Sequence, residues 1–296
     1  MQQRTVKKPI TINGIGLHSG EAVSLTLRPA PADTGIIFVA DGITIKASWE
    51  NIGETSYATT LEKDGVKVRT VEHLLAALAG LGIDNVIAEV TGNEAPILDG
   101  SAYPFVAAIK KAGIVTQDSP RRYLKILKAV TVHDGDKSAS LLPSPVSRIT
   151  YRIDFDHPML SDQNRSVEMD TELFEQELSP ARTFGFLRDA EMLRKAGLAK
   201  GGSMDNAIIV DDEQILNPDG LRFDDEFVRH KMMDAVGDFS LAGMPIIGHL
   251  VADKSGHGLN ARLVREVMSH PDCWMVVEGS PSYEGAEVGM AAEAIG

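Results

Sequence analysis

The chain has 296 residues, and its 29 lysines and arginines against 42 aspartates and glutamates leave a formal net charge of −13. That balance argues against a sequence-independent nucleic-acid binder, which needs a basic face to neutralise phosphates. A single cysteine, Cys273, excludes an intramolecular disulfide and any cysteine-based zinc site. The first residues lack the apolar core of a signal peptide, and no stretch approaches the roughly 18 apolar residues of a spanning helix, so a cytoplasmic globular chain without a membrane anchor is expected.

Along the chain, residues 21–28 alternate with period two and residues 35–40 read as a second strand, with Asn13-Gly-Ile-Gly16 and Asp41-Gly42 as turn signals. Thr70 is placed to cap a helix over 71–81, whose Val71, Leu74, Leu75 and Leu78 recur at helical spacing, and Gly80 and Gly82 mark its end. A strand over 85–90 follows, and residues 99–104 lead into a helix through about residue 111. The polar, turn-rich stretch 117–122 suggests a domain boundary, giving domains over 1–120 and 121–280.

The second half repeats the grammar: strands at 125–132 and 147–155, a helix at 224–241, a strand at 246–252, a helix at 259–270 and a last strand at 274–278. Strands followed by helices, twice over, predict an α+β fold of two packed layers rather than a doubly wound parallel sheet. No close sequence repeat stands out. Residues 281–296, rich in Gly, Ala and Glu, read as a mobile tail.

Three clusters have residue types suited to catalysis. In Phe227-Val-Arg-His-Lys-Met-Met-Asp-Ala-Val-Gly-Asp238, His230 and Asp234 lie one helical turn apart on one face, a spacing that lets an imidazole and a carboxylate share one zinc ion. Asp238 continues that stripe and Lys231 flanks it; alone, the pattern is more often a solvated polar face. In Thr70-Val-Glu-His-Leu-Leu75, Glu72 and His73 fall in a first helical turn about 100° apart, so one can ligate a metal while the other handles a proton. In Lys254-Ser-Gly-His-Gly-Leu-Asn260, His257 sits between glycines in a loop before a helix, where a near-neutral imidazole suits proton transfer. Two histidines and a carboxylate would leave a coordination position for water, but convergence of pieces some 160 residues apart is an assumption at this level.

Longer motifs resolve the ambiguity. Gly14-Ile-Gly-Leu-His-Ser-Gly20, Thr70-Val-Glu-His-Leu74, Leu78-Ala-Gly-Leu-Gly-Ile-Asp-Asn85, Pro96-Ile-Leu-Asp-Gly-Ser101, Phe155-Asp-His-Pro158, Ala181-Arg-Thr-Phe-Gly-Phe186, the run 220–231 and Lys254-Ser-Gly-His257 occur in one order. With them the chain resembles, from about residue 3 to 268, the zinc-dependent UDP-3-O-acyl-N-acetylglucosamine deacetylases of lipid A biosynthesis. The resemblance implies zinc on His73, His230 and Asp234, a donor set that also suits Fe(II). It implies that Glu72 is the general base, His257 the acid for the leaving amine, Asp238 its support, Thr183 an oxyanion partner and Lys231 a substrate contact.

The resemblance further implies two similar domains, each a β-sheet layer with helices, packed as a sandwich with the active site between them. Each would carry a small insert, over about 47–69 and about 186–211. Phe184, Phe186, Ala190, Gly202, Met204 and Ile209 match an apolar passage for the substrate's acyl chain, although the core of a small βαβ unit needs the same residue types. Asp154 and Phe155 match the uridine end, and Leu17 and His18 lie near the site without His18 being a zinc ligand. The expected partner is a UDP-linked acylated amino sugar, bound by a monomer. A zinc amidase for another acylated amine and a non-catalytic nucleotide-sugar binder are the competing readings.

Overall fold

The computed structural model describes residues 1–279, so the tail expected over 281–296 lies outside the described residues. The first half runs β1 (Gln2–Val6), β2 (Ile10–Ile15), β3 (Ala22–Pro29), β4 (Ile36–Ala40), β5 (Ile43–Lys46), β6 (Leu61–Lys63), β7 (Val66–Val68), α1 (Glu72–Gly80), β8 (Val86–Val90), α2 (Tyr103–Ala112) and β9 (Ile114–Pro120). The second runs β10 (Arg122–Ile126), β11 (Val130–Asp134), β12 (Lys137–Leu142), β13 (Arg148–Ile153), β14 (Gln163–Glu168) and the short turn α3 (Thr171–Leu173). It continues with β15 (Phe184–Phe186), α4 (Leu187–Lys195), β16 (Ile208–Val210), α5 (Glu226–Ser240), β17 (Ile246–Ile247), β18 (His249–Asp253), α6 (His257–Ser269) and β19 (Trp274–Glu278).

Two five-stranded sheets form, with orders β2-β3-β8-β4-β5 and β11-β12-β18-β13-β14. Taken strand by strand the orders are the same, and each sheet has one parallel pair at the same place: β4 beside β8, with Ile37 opposite Ile87, and β13 beside β18, with Ile149 opposite Leu250. A parallel pair needs a crossover connection. The helix in that crossover is α1 in the first half and α5 in the second, and α2 and α6 follow the returning strands. The expected α+β layering is therefore present as one unit built twice.

Both sheets turn alternate side chains inward. Leu25, Leu27, Phe38, Ile45 and Ala88 of the first and Ala139, Leu141, Tyr151, Leu250 and Ala252 of the second are buried, each large side chain contributing about 1.5–3 kcal/mol by leaving water. Helices α1 and α5 pack on each other. The segment Leu74-Leu-Ala-Ala-Leu78 of α1 is buried on every side, which marks an interior helix rather than an amphipathic surface one.

Two turn expectations are corrected. Asn13-Gly-Ile-Gly16 is no turn: Asn13 and Gly14 pair with Ser24 and Val23 in the β2–β3 ladder. Gly14 is there because a Cβ would stand 2.8 Å from Pro96 Cβ, so the need is close approach, not a bend. Residues 117–122 are no linker either, since β9 pairs with β1 through Pro120 and β10 begins at Arg122. Their polar side chains serve an edge: Gln117 Nε2 donates to the Ala30 carbonyl at 2.9 Å and Asn85 Nδ2 donates to Gln117 Oε1 at 2.8 Å.

Between β5 and α1 the chain makes the β6–β7 hairpin, and between β14 and α5 it makes a βαβ unit in which β15 lies parallel to β16 across α4. No described helix is long and apolar enough to cross a membrane.

Candidate functional site

The first turn of α1, the middle of α5 and the start of α6 meet. Glu72 and His73 open α1, as expected, but Thr70 does not cap it. Its hydroxyl donates instead to Glu94 Oε1 at 3.0 Å, and its φ of 55° is a left-handed conformation costly for a β-branched residue. The buried Glu94 carboxylate also accepts from His18 N at 2.8 Å and Ser19 N at 2.9 Å, so one acid ties the loop bearing Leu17 and His18 to the entry of α1.

On α5, nearly every residue from Glu226 to Phe239 is buried, including His230, Asp234 and Asp238. The stripe thus faces the interior, not solvent. Close packing against α1 is set by Gly237, where a Cβ would lie 2.1 Å from the Glu72 carbonyl oxygen. The start of α5 is fixed by the buried ion pair of Glu226 with Arg182, at 2.9 and 3.1 Å, which also sets the neighbouring Ala181. The Ala181 carbonyl accepts from His230 Nδ1 at 3.1 Å, so the proton sits on Nδ1 and the Nε2 lone pair is free.

His73, His230 and Asp234 place one potential ligand atom each within 4.8 Å of the others. Asp234 Oδ1 stands 3.5 Å from His73 Nε2 and 3.3 Å from His230 Nε2, and it has no hydrogen-bond partner among the described residues. Two donors about 2.1 Å from a tetrahedral ion stand about 3.4 Å apart, so the spacing fits a small divalent cation. Burial pushes His230 down to about 3, keeping it a neutral ligand. Burial works against the Asp234 charge, yet neighbouring His230 and Lys231 hold its carboxyl well below the usual range, with Lys231 Nζ at 2.7 Å from Oδ2.

Around this triad, burial raises the Glu72 carboxyl above its ordinary value. Its Oε2 accepts from Thr59 N at 3.0 Å, while Oε1 lies 3.9 Å from His257 Nε2. His257 is the first residue of α6 rather than part of the loop before it. Burial lowers its pKa, but Asp238, bonded to Nδ1 at 3.0 Å, more than compensates and takes it to about 9. Asp238 is held in turn by Thr59 Oγ1 at 2.5 Å and Asn260 Nδ2 at 2.9 Å. Sequence reasoning missed Thr59, Asn260, Glu94 and Gly237. Gly237 and Asn260 lie inside two of the candidate clusters, but nothing in those runs marks them as packing or bonding partners, and Thr59 and Glu94 lie in no cluster.

Residues 3–269 match the family described as UDP-3-O-acyl N-acetylglycosamine deacetylase. The chain belongs to this family. It is 56% identical over 279 residues to the UDP-3-O-acyl-N-acetylglucosamine deacetylase of Myxococcus xanthus, covering 93% of this chain and 89% of that one. It is 53% identical over 283 residues to the enzyme of that name from Hahella chejuensis, covering 94% of each chain. The protein of the same name from Syntrophotalea carbinolica is 48% identical over 292 residues, with 97% and 94% covered.

The other residues that the deacetylase resemblance singled out lie in several places. Phe155, Phe184 and Phe186 form one aromatic wall, with ring centres 5.7 and 5.8 Å from Phe155, and Phe184 is 6.2 Å from the His230 ring. Thr183 N donates to the Gly100 carbonyl and its own carbonyl accepts from Ile208 N, both at 2.8 Å. Gly202 lies beside Leu17, Ile209 is on β16, Ala190 is half-buried on α4, and Met204 is 45% exposed.

His18 is buried outside the triad with no partner for its Nε2 among the described residues, and burial is the main reason its pKa is lowered. Asp154 is exposed and paired with Arg152 at 3.0 Å and Lys254 at 3.7 Å. A cavity of about 510 Å³ opens elsewhere, lined by Leu75 and Leu78 of α1 and Val236 and Phe239 of α5, and none of the triad lines it.

Proposed function

We propose that this protein hydrolyses the N-acetyl group of a UDP-linked 3-O-acylated N-acetylglucosamine, releasing acetate and the free 2-amine, with zinc as the resident metal. The observation that carries this reading is the convergence of Glu72, His73, His230, Asp234 and His257 within one buried cluster of a chain from this family. His73 Nε2, His230 Nε2 and an Asp234 oxygen would hold the metal. When bound, zinc supplies Lewis acidity, making hydroxide available near neutral pH and polarising the amide carbonyl.

The chain's own residues account for the proton traffic. Glu72 Oε1, the oxygen left open by the Thr59 bond, takes the proton of the attacking water. Thr183 and Lys231 are assigned to the oxyanion and the substrate. His257, held charged by Asp238, delivers a proton from Nε2 to the amine as the C–N bond breaks. Phe184, Phe186, Ala190, Gly202, Met204 and Ile209 are assigned to the acyl chain and Asp154 and Phe155 to the uridine end, with Leu17 and His18 beside the substrate. Iron(II) is an alternative occupant of the same donor set.

The test is acetate release from UDP-3-O-(hydroxyacyl)-N-acetylglucosamine by chelated protein and by protein given back one equivalent of zinc. Activity should vanish on chelation and return with the metal. Folded, zinc-loaded protein that releases no acetate would overturn the reading.

A further inference from the structure

Thr59 lies between the short turn Trp49–Asn51 and β6, and it is 1% exposed. Its main chain is tied to the entry of α1: Val71 N donates to the Thr59 carbonyl at 3.2 Å, and Thr59 N donates to Glu72 Oε2 at 3.0 Å. Its hydroxyl donates to Asp238 Oδ1 on α5 at 2.5 Å. An ionised carboxylate only accepts, so the hydroxyl proton must point at Asp238. One residue therefore grips a carboxylate from each half of the fold, and none of these bonds goes to the metal triad.

Each bond has a chemical consequence. With Oε2 committed to the Thr59 N–H, Glu72 presents Oε1 toward His257 Nε2, 3.9 Å away. With Oδ1 committed to the hydroxyl, Asp238 cannot swing about its Cβ–Cγ bond, and Oδ2 stays in line with His257 Nδ1 at 3.0 Å and Asn260 Nδ2 at 2.9 Å. We propose that Thr59 is a positioning residue for amide hydrolysis, selecting through its N–H the Glu72 oxygen that takes the proton and orienting through its hydroxyl the Asp238–His257 pair. This rests on the roles given to Glu72 and His257 above. Hydrogen bonds to buried charges are the strong class, and a rigid partner shell is what keeps reacting groups in register.

The experiment compares full-length Thr59→Val, which keeps the shape and loses the donor, with Thr59→Ser, which keeps the donor. For valine, kcat should fall about 10- to 100-fold, the effect expected of one lost charge-assisted bond, with KM changed less than about threefold. Serine should restore most of kcat, and both variants should retain one equivalent of zinc. In a His257→Ala background the valine change should cost less than about twofold, because its route runs through that ring. In metal-free protein, the low-field Nδ1–H resonance of His257 should move in Thr59→Val and return in Thr59→Ser. That readout needs no turnover, so it judges Thr59 even if wild type releases no acetate. Wild-type kcat in the valine variant, metal loss, additivity with His257→Ala or an unmoved resonance would each overturn the proposal. If the valine variant does not fold, a neutron structure of wild type decides: a hydroxyl deuteron directed at Asp238 Oδ1 supports the assignment and any other direction overturns it.

Discussion

Glu72 and His257 are two titratable groups that their surroundings push the same way for opposite reasons. Burial raises Glu72 because its charged form is desolvated, and Asp238 raises His257 because its charged form is paired. A carboxylate with raised basicity and an imidazole that stays protonated near neutrality suit a base and an acid in one reaction. Glu72→Gln should therefore lower acetate release by about 10²–10⁴-fold while one equivalent of zinc still binds, measured by turnover and metal analysis side by side. A glutamine enzyme within tenfold of wild type would remove Glu72 from the base role. The pH behaviour of metal-free protein tests His257. Its folded pKa of about 9 lies above the ordinary histidine value of 6.5, so its stabilisation is complete below about 6.5 and is lost as pH rises through about 9. The thermal midpoint of chelated wild type should fall relative to His257→Gln across that interval, and parallel curves would refute the pairing.

Helices α1 and α5 bring Glu72 and His73 against His230, Asp234 and Asp238 because they touch at backbone distance, and the start of α6 adds His257. Sequence periodicity located both helices and put His230, Asp234 and Asp238 on one stripe. It could not say whether that stripe met water or protein, since polar residues at i, i+4 and i+8 are compatible with either. Gly237 is the residue that decides the spacing, and inside a helix a glycine otherwise costs stability. Gly237→Ala would drive a methyl into the Glu72 carbonyl, with the added atom 2.1 Å from that oxygen. We expect a loss of about 1–3 kcal/mol in stability, together with a drop in kcat larger than the change in metal content. An alanine variant with the wild-type melting point and turnover would show that the helices part without consequence.

At the scale of the whole molecule, the two sheets share one strand order, and the crossover helix of each faces the other. The candidate ligands divide unequally: His73 comes from the first unit, and His230 and Asp234 come from the second. The smaller sheets also stay within one unit, β9 pairing with β1 in the first and β19 and β17 with β10 in the second. A chain cut between residues 120 and 121 should thus reassemble when both pieces are co-expressed and bind one equivalent of zinc. Residues 121–296 alone, with two of the three ligands, should bind it at least about tenfold more weakly. Equal affinity of the fragment and the reassembled pair would place the metal away from His73.

What the sequence determined by itself was the family and the local grammar. The α+β class, the main helices, the βαβ insert and the residue types of the site follow from periodicity, spacing and family motifs, because those signals are carried within a few neighbouring residues. What only the tertiary structure decided were relations between distant segments. The strand-for-strand duplication leaves no matching sequence, since a shared fold asks only for apolar residues at inward positions, and many sequences satisfy that. The strand pairing of residues 13–16 and 117–120, the diversion of Thr70 from capping to Glu94, the contact of Gly237 with Glu72 and the two-handed grip of Thr59 all depend on partners many residues away in sequence. A threonine or glycine has no distinctive chemistry of its own, so its role exists only once the fold supplies the carboxylate or carbonyl that it meets.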